Sequence, residues 1–96
     1  MPTYAVTLRF ERDLRELTRE ERALFAIAIR KLVADLRVGS IRAGLRVRHV
    51  EGTRGVFELT WHGDGRATFE YGESIRAGEP HIVWRRVGSH DIFKSP

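Results

Sequence analysis

The fold of this chain is decided by the stretch Val56–Tyr71, which reads VFELTWHGDGRATFEY. Its two halves, Val56–Trp61 and Arg66–Tyr71, are rich in the aromatic and β-branched residues typical of strands. The residues between them, Gly63–Gly65, tolerate the positive φ angles that tight turns demand. We therefore expect a β-hairpin, whose two strands are antiparallel neighbours in a sheet.

Downstream of the hairpin, Ile82–Val87 is a third apolar run, and Gly88 and His90 follow it. We expect a central strand that delivers His90 to an edge of the sheet. Because histidine gains and loses a proton near neutral pH, His90 could act in proton transfer beside the nearby arginines. The alternative is a structural or solvated histidine that simply follows a glycine turn.

Upstream of the hairpin, Tyr4–Phe10 alternates large apolar residues with small or polar ones. This period of two predicts a first strand over the whole stretch. Asp13 is then expected to cap a short helical turn that ends at Leu17. The chain is therefore predicted to begin with a strand and a short helix.

A longer helix is predicted to start at Thr18. Thr18 and Glu21 have the spacing of a capping box, in which the hydroxyl and the carboxylate satisfy free backbone amides. The following apolar residues recur at helical spacing and form one stripe, Phe25, Ile29, Leu32 and Leu36. Gly39 is a natural end for this helix. Such a stripe is expected to pack against the sheet.

After a loop at Ser40–Gly44, the alternation in Leu45–Val50 predicts a short strand or an extended edge. A second loop, Gly72–His81, precedes the third apolar run. The predicted fold class is α+β: an N-terminal strand, two helices, and a three- to four-stranded antiparallel meander with the helices packed on one face. A chain of 96 residues has the size of one domain, so residues 1–96 should form a single unit.

Composition excludes several classes of function. Without cysteine, the chain has no disulfide, no thiolate chemistry and no cysteine-based zinc site. Its 4 histidines lack a short metal-ligand spacing, so we expect neither a metal nor a cofactor. The glycines around Asp64 do not have the spacing of a phosphate loop. No apolar run reaches the length of a membrane span and the first residues lack a signal pattern, so we expect a cytoplasmic protein that does not bind membranes.

The charge of the chain indicates an anionic partner. It has 17 Lys and Arg against 13 Asp and Glu, a net charge of +4, and nearly all of the cations are arginines. The guanidinium group matches phosphate and carboxylate oxygens with a planar fork. The run Arg37–His49 contains no carboxylate and forms a basic patch. We therefore expect nucleic acid or an acidic protein as partner.

Three segments together carry a family resemblance: Gly55–Leu59, Gly65–Tyr71 and Val83–Phe93. These segments, and the order of elements over nearly the whole chain, resemble the RelE/ParE superfamily of bacterial type II toxins. The resemblance implies a RelE-like toxin domain that a co-expressed antitoxin neutralises. RelE-like members of the superfamily cut messenger RNA, commonly in the ribosomal A site.

The resemblance also implies roles for individual residues. The catalytic arginine of the family falls on Arg66, and its Arg or His two places after the terminal glycine falls on His90. The aromatic position of the family falls on Phe93, whose ring can stack on a base but cannot transfer a proton. A position that varies among Lys, Glu and His falls on Arg48, with His49 adjacent.

These residue types fit the chemistry of RNA cleavage. Attack by the 2′-hydroxyl of the RNA needs a base, an acid and positive charge on the crowded phosphate, and it requires no metal. We assign His90 as the acid, Arg66 as the phosphate stabiliser and His49 as the base. Arg46 and Arg48 would clamp the RNA backbone.

Other residues are expected to contribute at the edge of this site. Further RNA contacts are predicted for Arg54, Arg85, Arg86 and Phe93. Arg85 and Arg86 alternate along one strand, so at most one of them can reach the site. Asp64 corresponds more loosely to an acidic residue of histidine-type members. Arg66 has a structural alternative, an ion pair with Glu58 across the hairpin.

Three functions are compatible with this sequence. The first is a toxin of a type II toxin–antitoxin system that acts as a metal-independent messenger RNA endoribonuclease at the ribosome and inhibits translation. A ParE-like DNA gyrase inhibitor would not need Arg66 and His90 as a catalytic set. A catalytically inactive module would only bind RNA or the antitoxin. The expected partner is a cognate antitoxin with an acidic segment and a DNA-binding domain, and the nuclease adds messenger RNA and the ribosome.

Overall fold

The computed structural model of this protein describes residues 2–96. At its centre is a 5-stranded sheet with the order β1-β5-β4-β3-β2. The predicted hairpin is confirmed, because β3 (Val56–His62) and β4 (Gly65–Gly72) pair antiparallel on either side of a turn. Within that turn Gly63 has a φ of 43°. β5 (His81–Ser89) continues the meander antiparallel to β4.

β1 (Thr3–Val6) lies at one edge of the sheet and runs parallel to β5. Both helices fall between β1 and the meander in the chain, and such a crossover connection is what parallel pairing requires. The sheet is therefore mixed, with one parallel edge strand added to the predicted antiparallel meander. β5 is an interior strand, although β4 occupies the middle position.

The chain leaves β1 earlier than predicted. The first helix, α1, covers Leu8–Glu16, so the predicted strand Tyr4–Phe10 is wrong in its second half. Thr7 caps this helix, because its hydroxyl accepts a hydrogen bond from the backbone N–H of Phe10 at 3.1 Å. The predicted cap at Asp13 is also wrong, since that residue lies inside α1.

The second helix, α2 (Arg19–Val38), confirms the longer predicted helix. The N–H of Thr18 donates to the carboxylate of Glu21 at 2.8 Å, and the N–H of Glu21 donates to the hydroxyl of Thr18 at 3.1 Å. Gly39 ends the helix with a φ of 77°, which glycine adopts without steric cost. No helix within residues 2–96 combines the length and the apolar character needed to cross a membrane.

The core lies between the helices and one face of the sheet. We call this the helix-covered face, and it is formed by Phe57, Leu59, Trp61, Ala67, Phe69, Ile82 and Trp84. Phe25 of α2 packs edge-on against Trp84, with ring centroids 5.4 Å apart. Trp84 in turn contacts Phe69 at 5.5 Å. Aromatic side chains bury more apolar area per residue than smaller side chains do, and these ring contacts join the helices to the sheet.

β2 covers only Arg48–His49 and is shorter than the predicted strand Leu45–Val50. A 3₁₀ helix at Ala43–Leu45 takes the first residue of that run and buries Leu45 in the core. Arg46 then has a φ of 52°, which lies outside the strand region. Packing of Leu45 thus overrides the alternation that the sequence shows.

Candidate active site

The sheet has a second face, which points away from the helices. Because side chains alternate along a strand, the residues on either side of Ala67 and Phe69 point to this second face. It carries charged and hydroxyl groups from β2, β3, β4 and β5. We call it the polar face, and it is formed by Arg48, Glu58, Thr60, Arg66, Thr68, Glu70 and Arg85. Residues far apart in the sequence therefore share one surface.

One end of the polar face gathers Asp64, Arg66, His90 and Phe93, which we call the hairpin-end cluster. Strand pairing places Arg66 opposite Gly88, just before the residues that lead to His90. The backbone N–H of His90 donates to the carboxylate of Asp64 at 3.4 Å. The exposed ring of His90 lies edge-on to Phe93, with centroids 5.0 Å apart. The β3–β4 turn and the end of β5 thus bring these four predicted residues together.

The guanidinium of Arg66 is fixed by the turn that precedes it. Its Nη1 donates to the carbonyl oxygens of Gly63 at 2.8 Å and Gly65 at 3.1 Å. Its Nε is buried and has no hydrogen-bond partner among residues 2–96. A buried donor without an acceptor is costly.

The structural alternative for Arg66 is wrong. Arg66 lies opposite Thr60 in β3, whereas the carboxylate of Glu58 accepts a hydrogen bond from Nε of Arg48 at 2.9 Å. The side chain of Arg48 nevertheless stays 69% exposed. Arg48 can therefore contact a ligand on the polar face while its charge is partly balanced by Glu58.

His49 does not lie on the polar face. β2 pairs Arg48 with Glu58 and His49 with Phe57, so the two β2 side chains leave opposite faces of the sheet. The ring of His49 contacts Phe57 on the helix-covered side, with centroids 5.7 Å apart. This geometry corrects the grouping of His49 with Arg66 as one catalytic set. The alternation of Leu45–Val50 in the sequence already implies that His49 and Arg48 point to opposite faces.

His62 is a histidine of the hairpin for which the sequence predicted no catalytic role. It is exposed at the end of β3 and lies opposite Gly65, which pairs on its other side with Ser89 of β5. His62 and His90 therefore flank the same end of β4. The sequence signal that could have identified His62 is its position next to the β3–β4 turn.

Arg86 is held inside the molecule. Its Nε and Nη2 donate to the two carboxylate oxygens of Asp13 at 2.6 and 3.1 Å, and the two side chains are 15% and 12% exposed. The same carboxylate accepts the backbone N–H of Val87 at 3.2 Å. The predicted RNA contact of Arg86 is corrected, because this guanidinium joins α1 to β5.

Arg85 lies on the polar face. Pairing of Thr68 with Arg86 and of Phe69 with Trp84 leaves Arg85 as the extra residue of a β-bulge. Its Nη1 donates to Glu70 at 3.1 Å, and its Nε donates to the carbonyl of Pro96 at 3.2 Å. Of the two neighbouring arginines, Arg85 bonds a carboxylate of the polar face, whereas Arg86 bonds Asp13 of α1.

Two further predicted RNA contacts, Arg46 and Arg54, are exposed. Neither guanidinium donates a hydrogen bond to any of residues 2–96. Arg46 follows the first 3₁₀ helix, and Arg54 lies in the turn between β2 and β3. Both charges are therefore available to an anionic ligand.

The basic run Arg37–His49 loses one of its charges to an internal ion pair. Arg42 binds both carboxylate oxygens of Asp35, at 2.8 and 2.9 Å, and donates its backbone N–H to the same carboxylate at 2.9 Å. These hydrogen bonds lower the pKa of Asp35 to about 2. Arg42 thus fixes the end of α2 and contributes little to the polar face.

No group of three or more histidine, aspartate or glutamate side chains within residues 2–96 is arranged to hold a metal ion. The ionisable groups of the hairpin-end cluster are the guanidinium of Arg66, the carboxylate of Asp64 and the imidazole of His90.

No family model matches the sequence, and no curated protein matches it either. Several solved structures share its fold. A YoeB/ParE toxin from Agrobacterium tumefaciens has a TM-score of 0.66 at 12% identity, over 92% of this chain and 98% of the other. A metal-bound toxin from Helicobacter pylori has a TM-score of 0.64 at 21% identity, over 95% and 97%.

A chain of the RelB–RelE antitoxin–toxin complex from Methanococcus jannaschii has a TM-score of 0.63 at 16% identity, over 94% of both chains. At such identities the likeness defines the fold rather than the activity. It covers almost the full length of every chain compared, so the whole α+β arrangement is shared. The chain therefore shares the fold of these toxins, as its sequence resemblance predicted.

Proposed function

We propose that this protein is the toxin of a type II toxin–antitoxin system and cuts messenger RNA at the ribosome. The observation that carries the proposal is the hairpin-end cluster, where a buried Nε–H of Arg66 without an acceptor and the exposed His90 lie at the same end of β4. A phosphodiester placed there would receive positive charge from Arg66 and a proton from His90.

The reaction divides into roles that this cluster can fill. Attack of the 2′-hydroxyl on the adjacent phosphate breaks the bond to the 5′-oxygen, so one group takes a proton and another gives one. His90 in its protonated form gives the proton to the leaving 5′-oxygen. Arg66 stabilises the charge that builds up on the phosphate. Phe93 packs on the ring of His90 and limits its orientation.

The base is assigned to the hairpin instead of to His49. Asp64 and His62 both lie at the β3–β4 turn, next to Arg66. Comparison of Asp64→Asn with His62→Gln separates these two candidates, because only the variant that loses the base should lose cleavage while RNA binding is kept.

The proposal includes a protein partner. The structural neighbour from Methanococcus jannaschii is a complex of an antitoxin with a toxin. By analogy, this chain would be neutralised by an antitoxin with an acidic segment, complementary to its net charge of +4, and with a DNA-binding domain. Messenger RNA on the ribosome would be the substrate.

Expression of the chain from an inducible promoter, with and without the neighbouring open reading frame, tests the proposal. Mapping of messenger RNA ends should show growth arrest together with new cuts in reading frame, and both should disappear when the antitoxin is co-expressed. Arrest with DNA damage and intact messenger RNA would instead indicate gyrase inhibition. Normal growth would indicate an inactive binding module.

A further inference from the structure

A second charged site lies on the polar face, away from the hairpin-end cluster. It is a cavity of about 450 Å³ lined by Arg9, Arg54, Arg85 and Glu70 among others. Arg9 comes from α1, Arg54 from the β2–β3 turn and Arg85 from the bulge of β5. Three separate segments of the chain thus place guanidinium groups around one opening.

The charges in this cavity are not balanced internally. The guanidinium groups of Arg9 and Arg54 donate no hydrogen bond to any of residues 2–96. Arg85 shares its donors between Glu70 and the carbonyl of Pro96. Three arginines therefore line this cavity, together with the carboxylate of Glu70 and the oxygen of Pro96 that accepts from Arg85. Arginine forks match the oxygens of a phosphate, so this surface suits a phosphodiester.

The position of the cavity relates it to the proposed site of cleavage. Arg66 and Glu70 lie on the same face of β4, four residues apart, which corresponds to about 13 Å along the strand. Between these two places Thr68 is fully buried and donates a hydrogen bond to Pro96, so an RNA strand that reaches both would run beside Pro96 and span them within a few nucleotides. An acidic peptide would need carboxylates at the same two places, whereas RNA carries a phosphate at every nucleotide.

The geometry points to a phosphate-binding subsite formed by Arg9, Arg54 and Arg85 for RNA whose scissile phosphate lies at the hairpin-end cluster. The inference rests on the proposed function and adds Arg9, which sequence alone did not single out. Glu70 opposes the ligand, because its carboxylate repels phosphate and holds Arg85. Its removal should therefore strengthen binding.

The test uses 2′-O-methyl oligonucleotides, which lack the attacking hydroxyl and so report binding without cleavage. Fluorescence anisotropy of a decanucleotide, which spans both sites, is compared with competition by a dinucleotide, which does not. For Arg9→Ala/Arg54→Ala we expect several-fold weaker decanucleotide binding and a salt slope reduced by about 0.7 per arginine. The dinucleotide should bind as it does to the wild type.

Two further variants make the result specific. Glu70→Gln should bind the decanucleotide more tightly than the wild type. Arg30→Ala removes an exposed charge from α2, on the other side of the sheet, and should leave both affinities unchanged. Thermal melting of each variant shows that the fold is retained.

Unchanged decanucleotide affinity in Arg9→Ala/Arg54→Ala would overturn the subsite. If the double variant lost affinity only for an acidic peptide, the subsite would also be overturned, because the arginines would then belong to a protein-binding surface. A wild-type protein that binds the decanucleotide through these arginines but never cuts messenger RNA would overturn the proposed nuclease and leave the subsite intact.

Discussion

The two faces of the sheet are built from alternating residues of the same strands, yet they differ in almost every physical property. On β4, Ala67 and Phe69 are fully buried under the helices, while Arg66 and Glu70 lie on the polar face. The helix-covered face holds the fold together by apolar packing. The polar face carries arginines that are only partly paired with carboxylates. Neighbouring positions in the sequence thus serve stability and chemistry separately.

Phe69→Ala should give the largest loss of stability. The ring is completely buried against Trp84 and Phe57, so its removal leaves a cavity and should lower the free energy of unfolding by about 3–5 kcal/mol. Urea denaturation measures it. Glu70→Gln, at the next residue but on the polar face, should change stability by less than about 1 kcal/mol. Equal losses in the two variants would break the comparison.

Asp13→Ala should lower the free energy of unfolding by about 3 kcal/mol, the lower end of the range for breaking a buried pair. It leaves the guanidinium of Arg86 without its carboxylate partner inside the molecule. The double variant Asp13→Ala/Arg86→Met should recover part of the loss. If the double variant were less stable than Asp13→Ala, the unpaired charge of Arg86 would not be the cause of the loss in Asp13→Ala.

Thr18→Ala should lower stability by about 1 kcal/mol, because it removes the side-chain half of the capping box of α2. Since α2 shields the helix-covered face, the loss should appear in the cooperative unfolding of the whole domain. Ser40→Ala, just beyond the other end of the helix, is the control and should stay within about 0.5 kcal/mol of the wild type. A larger effect at Ser40 would contradict this view of α2.

A further effect on stability is expected from pH. Hydrogen bonds from Arg42 hold the pKa of Asp35 at about 2 in the folded protein, below its ordinary value of 3.8. The unfolded state therefore binds a proton first as the pH falls, so this pair stabilises the fold above about pH 4 and loses that contribution towards about pH 2. Urea midpoints measured across this range should fall less steeply in Asp35→Asn than in the wild type.

The sequence predicted the elements whose signals are long or chemically specific. α2 carried a capping box, an apolar stripe and a terminal glycine, and the hairpin carried a turn flanked by two strands. The structure of Tyr4–Phe10 was harder to predict, because Phe10 and Leu14 also fit a helical period. A short apolar run does not distinguish a strand from a helix. Packing decided in favour of α1.

The residues of the candidate site also divide into those with a signal in the sequence and those without one. The sequence predicted Arg66 from the family resemblance and His90 from its position after a strand and a glycine, and strand pairing places both at the same end of β4. The pair Asp13 and Arg86, 73 residues apart, has no local signal. Arg9 was hidden by the wrong strand assignment. His49 was grouped with Arg48 by adjacency, although neighbours in a strand point to opposite faces.

Cleavage of ribosome-bound messenger RNA by His90→Ala and His49→Ala, measured beside the wild type, tests the central claim most directly. His90 follows β5 at the hairpin end of the sheet, whereas His49 contacts Phe57 on the helix-covered side. If the hairpin-end cluster is the active site, His90→Ala should lose about 10²–10⁴ in rate, while His49→Ala stays within a few-fold of the wild type. A His90→Ala variant that cuts at the wild-type rate, or a His49→Ala variant that loses as much, would contradict the account.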